Sequence, residues 1–434
     1  MSNTESVLLI GGGGREHAIA QALTVDSRCT LYACAGNRNP GITALTADFE
    51  SIPATSVDAI VEYATTDPVN ADLAIIGPES ALEAGVTDAL DAAGVYTFGP
   101  TAEAARIETD KAFQRQFMQS KSIPGCPEFA VFEETAAACE YIDAAENDLA
   151  VKPAGLTGGK GVRVIGDQVT QSEAKSYLRE NEYEQIVLEE RLVGEEFTVQ
   201  AFVANGEVRT TPAIQDHKRA YEGDTGPNTG GMGSYSDTTQ ALPFMNDKEY
   251  ADAVEILEAT VSALPNYKGV LYGQFMLTGD GPRVIEFNAR FGDPEAMNTL
   301  PILETSLLDV MRAAQHNESL PPLSFSNQAT VCKYAVPKGY PTDPQGGTRI
   351  TVDEESVESA RIYYASVDAR EDGLYTTTSR AFAVVGIADS IATAESQAET
   401  ALSAADDGLR IRHDIGTQSL LQRRIDHMSV IREE

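Results

Sequence analysis

Glu286 and Asn288 stand two residues apart in the apolar run Val284-Ile285-Glu286-Phe287-Asn288, and Arg290 follows at the same spacing. Residues two apart on a β-strand point to one face, so this run sets a carboxylate and an amide oxygen side by side, with a guanidinium next in line. Such a set suits a nucleotide-bound magnesium ion, which keeps several waters and takes only one or two protein oxygens besides phosphate. The run passes directly into Arg290-Phe291-Gly292-Asp293-Pro294-Glu295, a long and unusual string. A strand that ends in an Asp-Pro turn gives the same Glu-x-Asn letters, so the pair carries weight only with the hexapeptide behind it.

Three other stretches combine glycine with charge. Val7-Leu8-Leu9-Ile10 runs into Gly11-Gly12-Gly13-Gly14, and Arg15-Glu16-His17 then opens a helical stretch. A strand, a glycine turn and a helix N-terminus can turn backbone amides toward an anion. A dinucleotide-binding turn begins the same way but needs an acidic residue about 20 residues on. Leu31-Tyr32-Ala33-Cys34-Ala35-Gly36-Asn37 ends without one, which disfavours a dehydrogenase.

In the second stretch, Ala150-Val151-Lys152-Pro153 enters Ala154-Gly155-Leu156-Thr157-Gly158-Gly159-Lys160-Gly161, and apolar alternation resumes at Val162-Arg163-Val164-Ile165. This reads as a glycine-rich hairpin with a lysine at each end, able to fold over triphosphate oxygens; a purely structural hairpin stays open as the alternative. The third stretch is Gln215-Asp216-His217-Lys218-Arg219 followed by Gly223-Asp224-Thr225-Gly226-Pro227-Asn228-Thr229-Gly230-Gly231-Met232-Gly233. It has no hydrophobic period and reads as an irregular loop that contacts a small polar ligand, or else as a linker. No Ser-His-Asp or Cys-His arrangement is visible, so catalysis would rest on positioning and charge.

These residues need elements to hold them. Val7–Ile10, Leu73–Ile76 and Val95–Phe98 read as short buried strands, the last two ending at Gly77-Pro78-Glu79 and Gly99-Pro100. Strands and helices alternating at this spacing imply an open parallel sheet with its ligand off the strands' carboxyl ends. Thr101 to about Lys121 reads as one helix with Lys111 in its middle. Asn205-Gly206 marks a two-residue hairpin turn. Asp247 to Ala263 and Leu303 to His316 have helical spacing, and Gly279-Asp280-Gly281 turns the chain back toward Glu286. Beyond Pro321-Pro322 the chain is strand-rich and then helical, with strands to Val336 and over Ala381–Ile387, and a helix from Ser390 to Ala405. His413-Asp414-Ile415-Gly416, flanked by Arg410 and Arg412, is the one patch there that reads as an anion contact or, equally, a helix end.

At 434 residues, about three domains are expected. The net charge of −34 excludes general affinity for nucleic acid or anionic membranes, whose own charge it repels. It also fits a salt-rich cytosol, where screening relieves crowded carboxylates. No apolar run approaches the roughly 20 residues that span a bilayer, and Met1-Ser2-Asn3-Thr4-Glu5 lacks the basic start of a signal peptide. A cytoplasmic protein is expected. The five cysteines are scattered and odd in number, consistent with free thiols.

The order of motifs is more specific than any one of them. Gly-Gly-Arg-Glu-His-Ala, Gly-Pro-Glu, Phe-Gly-Pro-Thr, Lys-x-x-Gly-x-x-x-Gly-Lys-Gly, Glu-Glu-x-Leu-x-Gly-Glu-Glu, Gln-Asp-His-Lys-Arg, Gly-Pro-Asn-Thr-Gly-Gly-Met-Gly and Arg-Phe-Gly-Asp-Pro-Glu follow one another over residues 7 to 300. In this the chain resembles the glycinamide ribonucleotide synthetase (phosphoribosylamine–glycine ligase) family of ATP-grasp enzymes, more weakly toward the C-terminal Asp-Ile-Gly. The resemblance implies an α/β and α+β multidomain ATP-grasp fold. An N-terminal open parallel-sheet domain would span 1–105, an ATP-grasp domain 106–324 with its lid at about 125–195, and a C-terminal α+β domain 325–434.

It further implies that adenine lies by Glu189, Glu190, Arg191 and Leu192, with Glu196 on the ribose hydroxyls. Lys111, Lys152, Lys160, Arg219 and Asn228 would reach nucleotide phosphates or substrates, and Glu286 and Asn288 would hold magnesium or manganese. Arg290 would stabilise the transferring phosphoryl, with Lys152 and Asp293 as catalytic partners. Gly13, Gly14, Arg15, Glu16, Glu79, Asp216, Lys218, Arg290 and Asp293 would bind the substrates. The implied reaction joins glycine to 5-phosphoribosylamine at the expense of ATP, in a monomer that takes no nucleic acid and no membrane as partner. Another ATP-grasp ligase or carboxylase with a different acid or acceptor, and a non-catalytic ATP sensor, are the alternatives. Two positions depart from the family pattern: Lys152-Pro153-Ala154-Gly155 lacks a common loop carboxylate, and Gln274 replaces a small residue.

Overall fold

Val7–Ile10 lies in the central strand, Glu5–Ile10, of a five-stranded parallel sheet, flanked by Cys29–Ala35 and Leu73–Ile76. Asp48–Ser51 and Tyr96–Phe98 form the edges. The computed structural model describes residues 4–153, 161–181, 183–354, 357, 359–403 and 408–433. Strand order reverses beside Glu5–Ile10, so the turns after this strand and after Leu73–Ile76 open into one crevice at the sheet's carboxyl end. Close packing there demands glycine: a Cβ on Gly77 would stand 1.8 Å from Glu16 Oε1.

The helix expected across Thr101 to Lys121 is two helices, Ala102–Thr109 and Lys111–Lys121. Asp110 takes an extended conformation between them and accepts from the Phe113 amide, so its side chain caps a new helix at Lys111. The cap moves Lys111 from mid-helix to the first turn.

A small antiparallel sheet follows, ordered Phe129–Phe132, Ile186–Glu190, Leu149–Pro153, Arg163–Val164. Helices Thr135–Ala144 and Gln171–Glu180 cover it, and its core of Ala138, Ile142, Val151, Leu178 and Leu188 is separate from the rest. The glycine-rich hairpin is flanked by Leu149–Pro153 and Arg163–Val164, while Ala154 to Lys160 lie outside the described residues.

The main sheet is larger. Gly281–Asn288, Gly269–Thr278, Glu195–Ala204, Ile214–Asp216 and Gly233–Ser236 continue through Ala329–Pro337 into Phe382–Ala388 and Ala360–Tyr364. The boundary expected near residue 325 therefore does not interrupt the sheet, because Gly233–Ser236 pairs directly with Ala329–Pro337. Asn205 and Gly206 both have positive φ, 55° and 76°, and close the hairpin between Glu195–Ala204 and Glu207–Thr210. Helix Asp247–Ala263 starts at an Asn246 capping box. The segment from Leu303 becomes helical only at Leu307–Gln315, where Ser306 caps it. The loop after Gln215 is more ordered than its composition implies, since Arg219–Tyr221 and Thr225–Asn228 pair as a hairpin. A last helix, Gln418–Ile431, gave no clear sequence signal because only Leu420 and Met428 on it are buried. Among the described residues, no helix is long and apolar enough to cross a membrane.

Candidate active site

Glu286 and Asn288 end the strand Gly281–Asn288 and face one cavity of about 290 Å3, which Arg290 also lines. A second cavity of about 460 Å3 lies between the small sheet and the main sheet. The two share Val162, Asp216, Lys218 and Glu286, so the carboxylate of Glu286 sits at their junction.

Burial opposes ionisation of Glu286, but Lys218, Lys152, Lys111 and Arg290 outweigh it and hold its carboxyl below the usual range. Asn288 Oδ1 accepts a 3.3 Å bond from Arg290 Nη2. An ionised carboxylate beside an amide oxygen, both at a cavity, fits a magnesium ion that brings its own water and phosphate ligands. Among the described residues, no group of three or more His, Cys, Asp and Glu could hold a metal ion.

Arg290 is fixed from two sides. Its Nη2 lies 2.7 Å from Glu108 Oε1 and its Nε 3.5 Å from Glu79 Oε2. Glu108, absent from the sequence reading, also accepts from the Ala289 amide at 2.7 Å. Burial, together with Glu79, pushes its carboxyl up to about 7, against the pull of Arg290. Asp293 is likewise held, with Tyr334 donating at 2.7 Å and Arg380 Nη2 at 2.9 Å. Both partners come from beyond residue 325, and neither Tyr334 nor Arg380 was singled out in the sequence.

In the first glycine turn the chain's own residues meet the helix start. The Gly13 amide donates to Glu16 Oε2 at 2.7 Å, so the anion met by this helix start is the chain's own carboxylate. Glu16 Oε1 also receives Arg15 Nε at 2.7 Å. Of Gly13, Gly14, Arg15 and Glu16, only Arg15 reaches the smaller cavity, where Glu79 and Lys111 join it.

In the larger cavity, Glu189, Glu190, Arg191 and Leu192 form one wall. The Glu189 carboxylate is engaged in a buried cluster, 2.7 Å from both Arg115 Nε and Lys152 Nζ. Burial would raise its pKa, but Arg115 and Lys152 bring it below the normal value. Lys152 also donates to the Ile285 carbonyl at 2.9 Å, which ties the small sheet to the strand carrying Glu286. Glu190 pairs with Arg283 at 2.5 Å and Arg191 with Asp148 at 2.9 Å, so the two charged side chains of this wall are engaged within the protein. Arg219 pairs with Asp167, and Asn228 accepts from Gln168 at 3.3 Å; both contacts bridge the small sheet's domain to the hairpin. Lys160 lies outside the described residues.

Glu196 and Lys218 are joined by the unusual Gln274, whose Nε2 donates to Glu196 at 2.8 Å while its Oε1 accepts from Lys218. Lys218 Nζ is 3.8 Å from both Asp216 Oδ2 and Glu286 Oε1. Burial disfavours its charge, yet Asp216, Glu286, Glu196 and Glu295 raise its pKa. Asp216 goes the other way: burial, with Glu295 and Glu286 near, pushes it up to about 7 against Lys218, and its Oδ1 has no hydrogen-bond partner. His217 is buried with neither ring nitrogen partnered, and burial pushes its imidazole down to about 3. It lines the larger cavity beside Arg424 and His427 of the last helix, neither of which the sequence had singled out.

Three family models match the chain in series. Phosphoribosylglycinamide synthetase N domain matches residues 5–108, the ATP-grasp (A) domain 109–296 and the C domain 330–418. The chain is 52% identical over 435 residues to the phosphoribosylamine–glycine ligase of Methanosarcina barkeri, covering 98% of this chain and 99% of that one. It is 49% identical over 448 residues to the protein of the same name from Methanopyrus kandleri, covering 99% of each. Its fold is similar to the crystal structure of phosphoribosylamine–glycine ligase from Thermotoga maritima, with TM-score 0.80 and 24% identity over 94% of this chain and 99% of that one. The biotin carboxylase domain of Hydrogenobacter thermophilus 2-oxoglutarate carboxylase, solved with MgADP, ADP and bicarbonate, has TM-score 0.72 at 14% identity, covering 98% and 94%.

Proposed function

The chain belongs to the phosphoribosylglycinamide synthetase family, and from that premise we propose that its two joined cavities divide one ATP-dependent ligation between them. The reaction is the joining of glycine to phosphoribosylamine in purine biosynthesis. The larger cavity takes the nucleotide, with adenine against the backbone of Glu189 to Leu192 and ribose at Glu196. The smaller takes glycine and the ribosylamine, near Arg15, Glu79, Asp216 and Asp293. The observation that carries this division is the junction, where Glu286 and Lys218 belong to both walls.

A carboxylate resists amine attack, so glycine must first be activated. A carboxylate oxygen of glycine attacks the γ-phosphorus, the bond to ADP breaks, and glycyl phosphate results. The amine then attacks the carbonyl carbon, phosphate leaves and the nitrogen loses a proton. Asp216, with a free oxygen and a carboxyl titrating near neutrality, is the group at the junction suited to receive that proton. Glu286 and Asn288 would hold the magnesium or manganese ion, which supplies charge neutralisation at the phosphates. Arg290, clamped by Glu108 and Glu79, presents a fixed guanidinium to the charge that develops on the phosphoryl oxygens. Lys152 and Lys111 offset phosphate charge from the other side. Closure of the small sheet's domain over the nucleotide would exclude water from the acyl phosphate.

ADP release measured with ATP, glycine and phosphoribosylamine tests this reading. Release that requires glycine and falls to background in Glu286→Ala and Arg290→Ala, with the circular dichroism of both variants intact, is the expected result. Near-normal turnover in both variants rejects the assignment, and turnover with bicarbonate in place of glycine favours the carboxylase alternative.

The net charge of −34 supports adaptation to a salt-rich cytosol. Raising potassium chloride from dilute buffer to about 1 M, where the Debye length falls to about 3 Å, should raise the melting temperature. Equal stability at both salt levels rejects that adaptation.

A further inference from the structure

The strand Glu195–Ala204 is paired along one edge with Gly269–Thr278, Glu195 opposite Leu277 and Glu196 opposite Met276. On its other edge it meets Ile214–Asp216 at one registered pair, Thr198 with Ile214. Toward Glu195 this edge has no further main-chain register among the described residues, so the end of the strand that carries Glu196 lies where the sheet splays open.

Side chains fill the gap left by the ladder. Gln215 Nε2 donates to the Glu196 carbonyl at 3.0 Å and to Glu195 Oε2 at 3.3 Å, and Tyr235 holds Gln215 in place at 2.8 Å. The other two come from the last helix: Arg424 Nη1 lies 3.2 Å from Glu195 Oε2, and His427 Nδ1 lies 2.6 Å from Glu195 Oε1. Arg424 is braced in turn by Asp224, whose other oxygen meets Arg412 at 2.9 Å. Glu195 is 3% exposed, so its carboxylate has almost no water to fall back on and depends on the Arg424 guanidinium and on its hydrogen bonds to His427 and Gln215.

Neighbouring strand residues point to opposite faces. Glu195 turns toward the helix while Glu196 turns to Gln274 and the nucleotide cavity. Fixing one side chain therefore fixes the backbone that aims the other. The helix Gln418–Ile431 begins where the C domain match, 330–418, ends. Its contribution to the cavity wall thus lies past the residues that the C domain model matches.

We infer that this C-terminal helix is a working part of the nucleotide site, its Arg424 and His427 acting through Glu195 as positioning residues for Glu196. The inference rests on the assignment of the larger cavity to the nucleotide. Isothermal titration with ADP and steady-state kinetics on the full-length protein test it. Arg424→Gln should weaken ADP binding and raise the KM for ATP by about tenfold, the loss of one charge-assisted hydrogen bond. The KM for glycine and kcat should stay within about twofold. Arg424→Lys, which keeps the charge opposite Glu195, should restore most of the affinity. Should Arg424→Gln fail to fold, His427→Gln serves: its side chain is 44% exposed, and about a threefold loss of ADP affinity is expected. Unchanged ADP affinity in the folded variants, or equal rises in KM for ATP and glycine, would overturn the inference while leaving the nucleotide assignment standing. Wild-type protein that binds no ADP would overturn that assignment and the inference with it.

Discussion

Glu189 and Asp216 are both buried acids beside a lysine, yet their carboxyls are shifted in opposite directions. Glu189 meets two cations, Arg115 and Lys152, and both its oxygens are taken. Asp216 shares Lys218 with Glu286, Glu196 and Glu295, and one of its oxygens has no partner. In the first cluster both oxygens of the acid are satisfied without a ligand. The second has more negative charge than its lysine balances, and a buried oxygen of Asp216 is left without a hydrogen-bond partner; on the function proposed above, that incompleteness suits Asp216 to take a proton from the substrate amine. Burial alone does not tell the two apart, and the balance of partners does.

The comparison can be broken most severely at Glu286, which belongs to the incomplete cluster. Glu286→Ala should lower kcat by about a thousandfold, the several kcal/mol expected of a lost metal contact, with little change in urea stability. A matching loss of stability would make Glu286 structural. Next in size is Glu189→Gln, which leaves Arg115 and Lys152 buried without a countercharge. It should cost about 3 kcal/mol in urea denaturation, whereas unchanged stability would show the closed cluster to be dispensable.

Asp216→Asn should do the reverse, lowering kcat by about a hundredfold while leaving stability unharmed. Its pH signature sharpens the contrast. The folded pKa of Asp216 lies above the unfolded value, so its contribution to stability is present below about pH 4 and is lost as pH rises through about 7. Glu189, with a depressed pKa, contributes stability that is present above the unfolded value and lost as pH falls. Melting curves of the ligand-free protein between pH 4 and 8 should therefore rise relative to wild type at the alkaline end for Asp216→Asn. The smallest effect belongs to Gln274→Ala, which cuts the bridge between Glu196 and Lys218; about a threefold rise in the KM for ATP is expected, and no change would make the bridge incidental.

Much of this site could be read along the chain. The open parallel sheet, the Asn205-Gly206 turn, helix Asp247–Ala263 and the strand that brings Glu286 and Asn288 to one cavity all follow from neighbouring residues. Where the reading slipped, a local competitor won: Asp110 capped a second helix and Ser306 started another late.

The partners that decide each charge were out of reach. Arg115 and Glu189 are 74 positions apart, and Glu195 and His427 are 232 apart. Strand periodicity and turn chemistry act within a few residues, so the sequence by itself determined which side chains share a face and where the chain bends. Which acid is matched by cations, and which is left with an open oxygen, depends on the packing of distant segments around a low-dielectric interior, and only the tertiary structure decided it.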